Sequence, residues 1–109
     1  MATFFRNKVV KDVGTQPVLV LETSAAQRAT VIGLSVTNLT TSFVYIDVLI
    51  GDDTSVEGYY VKETLLPANT SLRLVSTGEK LILAPENTLK VKSSVSDSVD
   101  VVMSYVEIT

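Results

Sequence analysis

Nine short runs rich in β-branched residues, each cut off by a turn signal, dominate this chain and leave little room for any other class of fold. The runs are Phe4–Val10, Pro17–Glu22, Ala29–Asn38, Phe43–Ile50, Tyr59–Leu65, Ser71–Val75, Lys80–Leu83, Thr88–Ser93 and Ser98–Ile108. Turn residues separate them at intervals of about 8–14 residues, the spacing of a sandwich or barrel. Val, Ile and Thr supply 36 of the 109 residues; their side chains are stiff at χ1 and suit a pleated surface. No window carries a helical period. The chain predicts a single all-β domain, an antiparallel β-sandwich of about eight or nine strands, jelly-roll or Ig-like. Residues 13–109 form the sandwich, and residues 1–12 read as an N-terminal arm or an edge strand.

Alternation assigns the faces. Val44, Ile46, Val48 and Ile50 point inward, opposite Tyr45 and Asp47. Leu89 and Val91 flank Lys90, and Leu72 and Leu74 flank Arg73. Ile32, Leu34 and Val36 form an inward set against Gly33, Ser35 and Thr37. In the last run Val99, Val101, Met103 and Tyr105 share a face, while Val106 and Ile108 have the other parity. That switch predicts a bulge or a stretch buried on both sides. Pro67-Ala68-Asn69-Thr70 and Pro85-Glu86-Asn87-Thr88 each lead into a Leu-x-(Leu/Val) strand. Both predict tight turns with an Asn in the left-handed region.

Composition removes much chemistry. There is no His and no Cys, so nucleophilic catalysis would need a Lys base, and no Ser-x-x-Lys pattern exists. No metal site and no cofactor site is expected: Gly51-Asp52-Asp53-Thr54-Ser55 has oxygens but lacks the alternating ligand spacing of a calcium loop. The five glycines are dispersed and build no phosphate cradle. A net charge of −3 with nine scattered cations argues against a nucleic-acid partner. The amino-terminal residues lack the apolar core of a signal peptide, and no apolar stretch could span a bilayer, so no membrane partner is expected. Asn38-Leu39-Thr40 and Asn69-Thr70-Ser71 match the glycosylation pattern, which means little without secretion.

What remains is adhesion. The candidate protein-interface residues are Phe4, Phe5, Val9 and Val10 near the start, Asp52 and Asp53 in the polar loop, and the adjacent Tyr59 and Tyr60. Two further aromatics, Tyr45 and Phe43, could join Phe4, Phe5, Tyr59 and Tyr60 in a stacking platform. Core and interface packing is the expectation for these six, because aromatics dominate burial.

Several segments carry a resemblance. Met1-Ala2-Thr3-Phe4-Phe5-Arg6 with Val13-Gly14-Thr15, the stretch Ala29–Asn38, Leu66–Leu72, Asn87–Val91 and the ending Val99–Thr109 together resemble small virion structural proteins of tailed bacteriophages, of the cyanophage and marine-phage type. These are turn-and-strand patterns and include no catalytic motif. Asn69 and Asn87 stand where the group's pattern would have Gly. The resemblance implies a non-enzymatic virion component that binds capsid or other virion proteins, made in the host cytoplasm. A capsid decoration or cement protein, often a trimer, is the leading expectation; a neck, tail or fibre-attachment accessory is the alternative. A carbohydrate-binding receptor module is a further reading, and would need an exposed aromatic platform.

Overall fold

A computed structural model of the chain describes residues 2–75 and 80–109. Those residues form nine strands and no helix: β1 (Thr3–Val13), β2 (Val18–Glu22), β3 (Arg28–Asn38), β4 (Val44–Gly51), β5 (Glu57–Leu66), β6 (Ser71–Val75), β7 (Leu81–Leu83), β8 (Thr88–Ser93) and β9 (Val99–Ile108). Each predicted run becomes a strand, with ends shifted by a few residues at most.

The strands build two antiparallel sheets. Sheet A has the order β1-β9-β3-β6, with β7 also pairing β3 beyond the end of β6; sheet B has the order β2-β8-β4-β5. The pairs nest: β1 with β9, β2 with β8, β3 with β6 and β7, β4 with β5. A long hairpin folded over on itself gives this nesting, and it is the jelly-roll arrangement. An Ig-like sandwich would instead place the first strand beside the second and the third beside the sixth. Of the two predicted variants, the jelly roll is the one formed.

Alternation explains the core. Val31, Leu34 and Val36 of β3, Ile46 and Val48 of β4, Leu89 and Val91 of β8, and Val99, Val101 and Met103 of β9 are buried between the sheets. Leu66, Leu83, Val13 and Val20 close the ends and flanks. Each such side chain contributes about 1.5–3 kcal/mol through burial. Two face assignments differ from the sequence pattern. Ile32 is exposed, because a register shift between Val31 and Gly33 in the β3–β9 ladder inserts one residue and turns it outward. Opposite β1, β9 runs in regular register from Val101 to Ile108, so the switch of parity at Val106 reflects no bulge in that ladder. Val106 and Ile108 lie half-buried on the outer face instead.

The two proline turns also part company. Asn69 has φ 53°, as the pattern predicts. In the second turn Glu86, at φ 60°, takes the left-handed conformation rather than Asn87. Asn87 is held in place by Thr23: its N–H donates to Thr23 Oγ1 at 2.9 Å and its carbonyl accepts from Thr23 N at 3.0 Å. That tie fixes the residue after the turn and moves the left-handed position back by one.

Candidate interaction surfaces

The eight candidate interface residues fall into two groups at opposite sides of the sandwich. β1 is an outer strand of sheet A and lies against β2, while β5 closes the far side of sheet B. Phe4, Phe5, Val9 and Val10 belong to the first side; Asp52, Asp53, Tyr59 and Tyr60 belong to the second.

Along β1 the side chains alternate. Phe4, Arg6, Lys8 and Val10 stand opposite Glu107, Tyr105, Met103 and Val101. Val10 packs against the core and adds nothing to the exposed strip. Phe4 is partly exposed, with the Arg6 guanidinium 4.9 Å from its ring centroid. Arg6 Nε donates to Glu107 Oε2 at 3.1 Å, and Gln27 Nε2 donates to Glu107 Oε1 at 3.2 Å. Glu107 thereby ties β1 to the β2–β3 connection.

Phe5, Asn7 and Val9 face the other way and open the outer face of sheet A. Phe5 lies in register with Val106, Thr30 and Ile82; Val9 lies in register with Val102, Ser35 and Arg73. Between these rows sit Asn7, Ser104 and Gly33. Phe5 is 82% exposed, Ile82 68%, Val9 59% and Val102 46%. Arg73 is the one charged residue in these rows. The sequence already held the signal for Val102 and Val106, whose apolar character has the parity opposite to the core set; Ile82 was hidden inside the uniformly apolar Leu81-Ile82-Leu83.

On sheet B the aromatics do not pack into the core. Phe43 and Tyr45 meet edge to face, ring centroids 5.6 Å apart, on the outer surface. Tyr59 and Tyr60 are both exposed, because the β4–β5 register shifts at that point. Lys62 Nζ sits 5.1 Å from the Tyr59 ring centroid. Of the core and interface packing expected for Phe4, Phe5, Phe43, Tyr45, Tyr59 and Tyr60, the core part fails; Tyr105 is the aromatic buried in the core. Nor do the six share one platform, since β1 and β5 hold them apart.

The polar loop between β4 and β5 organises itself. Asp52 Oδ1 accepts from Thr54 N at 2.8 Å, Thr54 Oγ1 at 2.6 Å and Val56 N at 3.1 Å. These bonds, the Thr54 hydroxyl first, hold the Asp52 carboxyl below its ordinary range. Asp53 projects beside it. An open groove of about 640 Å³ runs from this loop past Glu22, Glu57, Glu86 and Lys90. Glu57 pairs with Lys90 at 3.0 Å. Among the described residues no three acidic side chains converge as a metal cage would require.

Asn38, half of a glycosylation pattern in the sequence, is 1% exposed. Its Nδ2 donates to the carbonyls of Ser42, Leu66 and Pro67, and its Oδ1 accepts from Thr40 N and Oγ1. It is a hub that joins the β3–β4 loop to the end of β5.

No protein-family model matches the chain, and no curated protein matches it in sequence. In three dimensions it is similar to a chain of the Bacillus endospore appendages, disulfide-linked pili, with TM-score 0.59 and 7% identity over 98% of this chain and 88% of that one. It is also similar to a chain of the T13 viral particle of IBDV, with TM-score 0.58 and 8% identity over 96% of this chain and 30% of that one. This chain thus spans under a third of the viral chain and most of the pilus chain. At such identities the likeness is one of fold.

Proposed function

We propose that the protein is a non-enzymatic structural component of a virion, of the tailed-bacteriophage type, and that it coats the capsid surface as a decoration or cement module. The observation that carries this reading is the outer face of sheet A. Two of its rows carry exposed apolar side chains, Phe5 with Ile82 and Val9 with Val102, and together hold one charge, Arg73. Exposed apolar area of that kind marks a surface that meets another protein. The jelly roll is a recurrent capsid architecture, and both fold neighbours are parts of assembled structures, a pilus and a viral particle. The pilus is described as disulfide-linked; this chain has no Cys, so no disulfide links its own contacts. On this reading the partners are capsid proteins, no cofactor takes part, and a trimer is the order that a three-fold site on the particle would impose.

Quantitative mass spectrometry of purified particles tests it. The expected result is a copy number comparable to that of the major capsid protein. A small fixed number per particle would move the protein to the neck, tail or fibre attachment. Its absence from particles would overturn the virion reading.

A further inference from the structure

We propose that the chain associates with copies of itself head to tail, the free edge of β1 in one copy adding to the free edge of β5 in the next. This goes beyond the virion reading and makes no use of a capsid.

The first support is unpaired backbone. Ala2 and Thr109 exchange both N–H···O bonds, at 3.2 and 3.0 Å. The antiparallel alternation then directs Phe4, Arg6, Lys8 and Val10 toward β9. The N–H and C=O groups of Thr3, Phe5, Asn7 and Val9 face away from the sheet, where no described strand pairs with them. On β5, Asp52 N donates to Val56 O at 3.0 Å. The same alternation leaves the backbone of Glu57 and Tyr59 facing outward. Such edges are templates for strand addition.

Charge then selects the partner. β1 carries Arg6, Lys8 and Lys11 against Asp12 alone. The β4–β5 loop and β5 carry Asp52, Asp53, Glu57 and Glu63 against Lys62 alone. Among the described residues the two ion pairs are Arg6–Glu107 and Lys90–Glu57. Lys8, Lys11, Asp53 and Glu63 are therefore without a described partner within 4.0 Å. Pairing β1 with β1 would oppose cations, and pairing β5 with β5 would oppose anions; β1 with β5 is the complementary choice. The other edge on the far side is split between β6, five residues long and carrying Arg73, and β7, three residues long. Phe5 on one edge and Tyr59 on the other, both exposed, supply the apolar and aromatic contact that interfaces favour.

The contact is heterologous, because the two surfaces differ and lie on opposite sides of the molecule. It closes into a ring or runs on as a filament. Register shifts interrupt β5 near Tyr60 and Glu63, so the added ladder is short and association in solution is concentration-dependent.

Light scattering and native mass spectrometry of the full chain, over a range of concentration and salt, test the proposal. The expected result is growth beyond a dimer that weakens as salt rises. Lys8→Glu and Glu63→Lys should each weaken association by about threefold or more. Mixing these two variants should restore association above that of either alone, because where they alternate each contact pairs either the two reversed edges or the two unaltered ones. Asn7→Pro, which removes an outward N–H and leaves the bonds to β9 in place, should abolish association with thermal unfolding little changed. A protein that stays monomeric at every concentration, growth that stops at a dimer and ignores Glu63→Lys, or a mixture that fails to recover would overturn the proposal.

Discussion

Replacing Asn38 tests how the loops at one end of the sandwich are held. Its amide has two N–H donors shared among three carbonyls, at 2.8 Å to Ser42, 3.1 Å to Leu66 and 3.1 Å to Pro67. Its carbonyl takes Thr40 N and Thr40 Oγ1, both at 2.8 Å. Asn38→Ala removes all of these and leaves Leu66 O buried without its side-chain donor. At about 1 kcal/mol net for each of three to four effective bonds, the loss is about 3 kcal/mol. For a domain of this size that is roughly 12–20 °C in Tm, and a large share of the stability a small domain commands. Asn38→Asp is sharper. It keeps the acceptor but sets a carboxylate against three carbonyl oxygens in a buried site, so the folded-state pKa of the introduced carboxyl lies above its unfolded value. The penalty is then full at pH above the folded pKa, shrinks as pH falls through it and is gone below the unfolded value. Thermal and urea unfolding of both variants against the parent, at neutral and acid pH, checks this. An Asn38→Ala Tm within about 3 °C of the parent, or an Asn38→Asp deficit that does not shrink on acidification, would refute the reasoning.

Other expectations follow from the same geometry. Asn69→Ala should cost about 1 kcal/mol while Asn69→Gly is neutral or mildly stabilising, and Glu86→Gly should stabilise by about 0.5–1 kcal/mol, because both positions hold positive φ; urea midpoints decide it. Asn87→Gly should bring no such gain, since the left-handed position is not there. The Asp52 carboxyl titrates lower folded than unfolded, so its support for the β4–β5 loop is complete above the ordinary value of 3.8 and fades as pH falls through the lowered one. Protection of the Thr54 and Val56 amides, taken relative to their intrinsic exchange at each pH, should fall below that value in the parent and be lost already at neutral pH in Asp52→Ala.

Much of the fold was legible because the physics that made it is local. Period-two alternation in Val44–Ile50, Leu89–Val91 and Val99–Tyr105 names the buried face without knowledge of the partner sheet. The choice of jelly roll over an Ig-like sandwich was not legible, since strand order depends on which edges meet and no single run records it. Ile32 was misassigned for a related reason: an inserted residue in β3 is visible only once β9 lies beside it. The aromatics misled because large apolar side chains ordinarily supply much of a core's buried area, whereas here Val, Leu and Ile fill the core and leave Phe5, Phe43, Tyr45 and Tyr59 outside. Phe5 and Tyr59 could be picked out as surface candidates. Their placement on opposite sides, with cations along one edge and carboxylates along the other, is a property of topology alone.

Whether the free edge of β1 meets another copy is reported most directly by its outward-facing amides. Hydrogen exchange at Thr3, Phe5, Asn7 and Val9, compared between dilute protein and the assembled state, is the deciding measurement. The account predicts fast exchange in the dilute chain and at least about tenfold slower exchange on assembly, with Phe4, Arg6 and Lys8 protected in both states by β9. Equal, fast exchange at the four outward amides in an assembly of demonstrated high mass would contradict it.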